Sequence, residues 1–123
     1  KAASTGHLDV VRFLVLNAGA DLNQAEKGET TWIAAAKGHL DIVRLLCSEA
    51  GANPNHANNY GSTPTYVAAQ NGHLDVVRYL CTDAGADANQ ANTYGYTPTY
   101  AAEQYGYNKI ARYLRGVVES NML

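Results

Sequence analysis

The feature that most constrains this chain is that it repeats itself. Gly6-His-Leu-Asp-Val-Val-Arg12 returns as Gly38-His-Leu-Asp-Ile-Val-Arg44 and Gly72-His-Leu-Asp-Val-Val-Arg78, then weakly as Gly106-Tyr-Asn-Lys-Ile-Ala-Arg112, at spacings of 32, 34 and 34 residues. A second ladder follows the first three copies: Ala18-Gly-Ala-Asp-Leu-Asn23, Ala50-Gly-Ala-Asn-Pro-Asn55 and Ala84-Gly-Ala-Asp-Ala-Asn89. A third precedes the later copies, as Tyr60-Gly-Ser-Thr-Pro-Thr-Tyr66 and Tyr94-Gly-Tyr-Thr-Pro-Thr-Tyr100. A period of this size marks an array of small supersecondary units. None of them can bury an apolar face alone, so neighbours must stack to close the core.

Each unit reads as turn, helix, turn, helix. Thr63 suits an N-cap, and Pro64 suits the first helical position, whose amide has no partner within the helix. The first helix ends near Gly72, a left-handed terminator. Leu74, Val77, Leu80, Cys81 and Ala84 then line one face of a second helix, closed by Gly85. Asp75 sits in its first turn, where the helix dipole favours a negative charge. The Asn-, Gln-, Gly- and Thr-rich stretch from Asp87 to Tyr96 reads as an extended turn. Helices are predicted near 7–14, 30–37, 40–49, 64–71, 74–83, 98–105 and 108–118.

Thr-Pro-x-x-x-Ala-Ala, Gly-His-Leu-Asp-x-Val and Ala-Gly-Ala-Asp-x-Asn, in that order and in phase, resemble the ankyrin repeat over essentially the whole chain. The resemblance implies an all-α solenoid of stacked helix-turn-helix repeats with projecting β-turn fingers. Two departures stand out. The family's Leu-His after Thr-Pro is replaced by Thr65-Tyr66, Thr99-Tyr100 and Thr31-Trp32, and the copies run one residue over the usual ~33. Thr65 and Thr99 are expected to leave underfilled sites.

The chain is parsed as one domain: a partial repeat over 1–23, repeats over about 24–55 and 56–89, and a C-terminal capping repeat over 90–123. Aligning Ala34-Ala35 with Ala68-Ala69 puts a two-residue loss in Glu26-Lys27-Gly28-Glu29. The expectation there is a shortened finger and a poorly capped helix, with Thr30 at the proline position. Tyr107, Asn108, Lys109 and Arg115 replace His73, Leu74, Asp75 and Cys81, giving the last unit the polar outer face of a cap. Lys1 falls inside a first helix, which suggests a fragment of a longer array.

Composition narrows the function. Net charge is −2, and the nine basic residues are scattered without a run, so nucleic acid is not an expected partner. No apolar run approaches the ~18 residues of a membrane span, and no membrane partner is expected. No Ser–His–Asp set, Cys–His pair, phosphate-gripping loop or zinc spacing appears. The chain is therefore read as non-catalytic, with no catalytic residue, cofactor or metal. His7, His39 and His73 stand one repeat apart, too far to share an ion with ~2 Å zinc–nitrogen bonds. They are expected to pin the turns between helices by hydrogen bonding, and His56 carries no functional assignment. Cys47 and Cys81 occupy one slot in adjacent repeats and read as free, buried core thiols of a reducing, cytoplasmic or nuclear compartment. Asp9, Asp41 and Asp75 precede Arg12, Arg44 and Arg78 by three residues and read as surface helix pairs. In the ankyrin family an asparagine at Asn23, Asn55 or Asn89 can be hydroxylated. The favoured role is a side-chain bond to the turn backbone.

The aromatics point to function. Nine tyrosines and one tryptophan stand against one phenylalanine, and tyrosine supplies rigid contact area with a polar tip. Tyr79 and Tyr113 are expected to pack. The resemblance places partners on the concave face of fingers and first-helix ends, which here means Lys27, Glu29, Asn59, Tyr60, Ser62, Gln70, Asn71, Thr93, Tyr94, Tyr96, Gln104 and Tyr105. The expected function is a protein-interaction module, monomeric, binding a protein or peptide with weak salt dependence. A structural spacer or regulatory array within a larger protein is the alternative. Residue differences at equivalent concave positions, such as Ala36-Lys37, Gln70-Asn71 and Gln104-Tyr105, favour the first.

Overall fold

The computed structural model describes residues 23–122. Six α-helices run through them: α1 Gln24–Lys37, α2 Leu40–Ser48, α3 Pro64–Gln70, α4 Leu74–Thr82, α5 Pro98–Gln104 and α6 Asn108–Asn121. They pack as three antiparallel hairpins, α1–α2, α3–α4 and α5–α6. First helices stack on first helices and second on second. The predicted helix over 7–14 and the readings of Lys1, His7 and the Asp9–Arg12 pair lie outside the described residues.

Local chemistry sets the helix ends. Thr63 Oγ1 accepts from Tyr66 N, and Thr97 Oγ1 from Tyr100 N, each at 3.2 Å, with proline at the first helical position. Gly38, Gly72 and Gly106 close the first helices at φ 77°, 84° and 80°, and His39, His73 and Tyr107 each donate back across the turn to Ala34, Ala68 and Ala102. Gly38 and Gly72 also let a neighbour approach. A Cβ at Gly38 would lie 2.5 Å from His73 Nδ1, and one at Gly72 would lie 2.6 Å from the Tyr107 ring. One repeat's turn is thus the seat for a ring of the next.

The first described helix departs from expectation. Instead of a short finger followed by a helix from Thr30, α1 begins at Gln24, so Glu26, Lys27, Gly28 and Glu29 are helical. The cap is Asn23, with Glu26 as its reciprocal partner: Glu26 N donates to Asn23 Oδ1 at 2.8 Å, and Asn23 N donates to Glu26 Oε1 at 3.0 Å. This capping box satisfies two amides at once, so the helix is well capped without proline. Gly28 is buried within it because His56 lies against it; an added Cβ would stand 2.2 Å from His56 Cγ.

The core is made of paired alanines on the first helices (Ala34-Ala35, Ala68-Ala69, Ala101-Ala102) and larger residues on the second, including Val43, Leu46, Val76, Val77, Leu80 and Leu114. Tyr79 is buried as expected, and Tyr113 packs against the same core. Cys47 and Cys81 are free and half-buried against it, and burial pushes each thiol from 9.0 to about 11. Arg44 and Arg78 do not act as expected. Rather than pairing with Asp41 and Asp75, Arg44 lies 5.4 Å from the ring centroid of Tyr79, and Arg78 5.5 Å from that of Tyr113. Each cation reaches across to an aromatic face of the following repeat. Contrary to expectation, neither His39 nor His73 caps its own turn through its side chain, and His73 instead reaches the preceding repeat, with Nε2 3.2 Å from Ala36 O. Asn55 behaves similarly: its Oδ1 accepts from Asp87 N at 2.8 Å, in the next repeat.

Candidate protein-binding face

Two fingers precede α3 and α5, and an asparagine organises each. Asn58 Oδ1 accepts from Tyr60 N and Ser62 N, both at 3.0 Å. Asn92 Oδ1 accepts from Tyr94 N at 2.9 Å and Tyr96 N at 3.0 Å. The side chain thus holds two amides that the tight turn leaves without backbone partners. The fingers are joined as well: Thr93 donates to Tyr60 O through its amide at 2.9 Å and its hydroxyl at 3.0 Å.

The tyrosines are carried on this frame. Tyr60 and Tyr94 stack with ring centroids 6.4 Å apart, Tyr94 and Tyr96 at 6.1 Å, and Tyr96 and Tyr100 at 4.3 Å. Four rings therefore run in series from the first finger onto α5. Gln70 Nε2 donates to Tyr105 Oη at 3.4 Å, linking the ends of α3 and α5. Tyr66 completes the group. Its phenol is held above the usual value first by burial and then by the neighbouring Tyr105, Tyr100 and Tyr96. Tyr100 is raised by desolvation and by Tyr96. Both phenols remain protonated at neutral pH, that of Tyr100 in a hydrogen bond with Tyr96.

The residues selected from sequence fall into three groups. Tyr60, Tyr94, Tyr96 and Tyr105 are exposed at 60%, 65%, 40% and 60%, an unusual concentration of open aromatic surface. Asn59, Gln104 and Thr93 are exposed beside them, and Gln70 is half-buried. Asn71 is exposed, yet its Nδ2 donates to Ala36 O at 2.8 Å and so ties two repeats together. Ser62 is only 8% exposed, and its carbonyl accepts from Trp32 Nε1 at 2.9 Å. Its place is under the finger rather than on the face. Lys27 and Glu29 stand on α1 instead of a finger. Glu29 helps to line a shallow hollow with Trp32, Ile33, His56 and Asn58, at the base of the first finger.

Sequence reading passed over Tyr66 and Tyr100, treated only as departures from a framework pattern, and Ile33, which is 46% exposed. The signal for the two tyrosines was available: each is the third residue of a proline-started helix directly after a finger, in phase at one repeat.

Stacked helical hairpins with turns projecting from one side define a helical-repeat solenoid. A family model for ankyrin repeats in three copies matches residues 1–92 and 33–121, and the chain belongs to the ankyrin-repeat family. Members are generally protein–protein interaction modules. A search of curated proteins finds no match. Among the described residues no helix is long and apolar enough to cross a membrane.

Proposed function

We propose that the chain is a non-catalytic module that grips a protein or peptide partner on the face formed by its fingers and first helices. The observation that carries this is the tyrosine series. Rings from two fingers, α3 and α5 are gathered on one side, and three of them stay about 60% exposed. A side chain needed only for packing would be covered, as Tyr79 is. A few large anchors usually carry most of an interface's energy, and with few free charges on this side binding should depend weakly on salt.

The stacking itself favours a second reading, in which the tyrosines rigidify the fingers of a spacer. Aromatic pairs contribute about 0.5–1.5 kcal/mol beyond burial. Affinity capture with the chain as bait separates the two when Tyr94→Ala/Tyr96→Ala is compared with wild type. Loss of a partner by about 2 kcal/mol, roughly thirtyfold, with little change in Tm supports the interface. Unchanged capture with a lowered Tm assigns these rings to the fold.

A further inference from the structure

The chemistry of the tyrosine face restricts what can lie on it. Residues 53–72 and 88–102, which form both fingers and most of α3 and α5, contain no Asp, Glu, Lys or Arg. The carboxylate just beyond, Glu103, is engaged by Arg115 on α6. A charged segment laid here would lose water and find no counter-ion, which is costly.

Within the tyrosine series itself, the acceptors of the finger asparagines are already used: the oxygens of Asn58 and Asn92 are taken up by finger amides. The Tyr105 oxygen accepts from Gln70, so its hydrogen is directed elsewhere. The phenol of Tyr66 stays protonated past neutrality, whereas the Tyr100 hydroxyl is engaged by Tyr96. What this surface lacks is a set of acceptors held against a row of aromatic rings.

Secondary structure narrows the partner further. The described residues contain no strand, so there is no sheet edge to accept an added strand. A helix offers few free carbonyls, because its own ladder uses them. A polyproline II segment makes no internal hydrogen bonds, and its backbone carbonyls point outward. Prolines contribute acceptors and no amide donors, and their rings pack on aromatic faces with little ordering cost. We propose that this face binds an extended, uncharged, proline-rich segment of a partner protein in the polyproline II conformation. The inference rests on the interaction reading given above and names the chemistry of its partner.

The test is a titration of the whole chain with a capped peptide of about ten prolines, followed by tyrosine fluorescence and amide chemical shifts, at low and high salt. Capped Gly-Ser and Arg-rich peptides of the same length serve as comparisons. The expected result is saturable binding of the proline peptide, nearly independent of salt, with shifts centred on Tyr94 and Tyr96. Affinity should fall at least tenfold in Tyr94→Ala/Tyr96→Ala. Tyr60→Ala, changing an exposed ring at the end of the series, supplies the same comparison should the double variant fold poorly. No binding at millimolar peptide, equal binding of the Gly-Ser peptide, or tighter binding of the Arg-rich peptide overturns the proposal. If a captured protein partner is lost in the tyrosine variants while the proline peptide fails to bind wild type, the interaction reading survives and this one does not.

Discussion

Thr65→Val isolates a single hydroxyl. Thr65 is fully buried at the second position of α3, and its Oγ1 has no hydrogen-bond partner. Thr31, at the equivalent place in the preceding repeat, is equally buried, but its hydroxyl donates to Lys27 O at 2.8 Å. The difference lies in where each helix starts. α1 begins early enough that the carbonyl four residues before Thr31 is helical and within reach, whereas the residue four before Thr65 is Gly61, in the finger. The Cys81 thiol is the weak partner left to Thr65. The hydroxyl acts on that thiol against the larger shift that burial causes. A buried hydroxyl without a good partner costs about 1–3 kcal/mol, and valine keeps the shape while removing it. Thr65→Val should therefore stabilise by about 1 kcal/mol, raising Tm by roughly 4 °C for a domain of this size. Thr31→Val loses a satisfied bond and should be neutral or destabilising. Paired thermal and urea melts measure both. A fall in Tm for Thr65→Val, parallel to Thr31→Val, refutes the reasoning and gives the hydroxyl a working partner. Thr65→Leu asks the separate question of volume: a rise of about 1 kcal/mol fits an underfilled site, and a fall reports overpacking. Thr99 is only half-buried, so the same change there should have a smaller effect.

Gly28→Ala should destabilise α1 despite alanine's better helix propensity, by about 1–3 kcal/mol, because the new methyl meets His56; a rise in the urea midpoint would contradict that seating. The thiols of Cys47 and Cys81 ionise near 9.0 when exposed and near 11 in the fold. Between those values the unfolded chain has released protons that the folded chain retains. Their contribution is thus intact below pH 9 and declines as pH rises toward 11. Urea midpoints measured across that range should fall more steeply for wild type than for Cys47→Ala/Cys81→Ala, and equal slopes would remove the burial argument. The same thiols should react slowly with alkylating reagents at neutral pH until the chain is unfolded.

Much of the architecture is local, and local chemistry is written along the chain. Thr-Pro starts, glycine stops and the apolar spacing of the second helices place α2 to α5 within a residue or so of their predicted ends, because each signal acts within a turn or two of itself. The in-phase repeats likewise required that neighbouring units stack. The shortened segment at Glu26–Glu29 was legible only as a loss of two residues. The Asn23-x-x-Glu26 capping box that starts α1 ahead of Thr30 is itself a local signal, hidden because the repeat alignment put a finger there; only the seating of His56 against Gly28, twenty-eight residues away, required the fold.

The finger tyrosines could be singled out in sequence because they stand in polar turn segments outside the apolar helix faces, while Tyr66 and Tyr100 were concealed by their place at a framework position. Arginine three residues after aspartate suggested an ion pair within one helix, and the fold gave each arginine a tyrosine ring in the next repeat instead. The sequence by itself determined the repeat, its helices, its turns and the class of protein. The tertiary structure decided which rings meet across repeats and that Ser62 lies buried beneath the finger. The contacts that join Tyr60 to Tyr94, Arg44 to Tyr79 and Trp32 to Ser62 link residues some thirty positions apart, and their geometry exists only once the repeats have stacked.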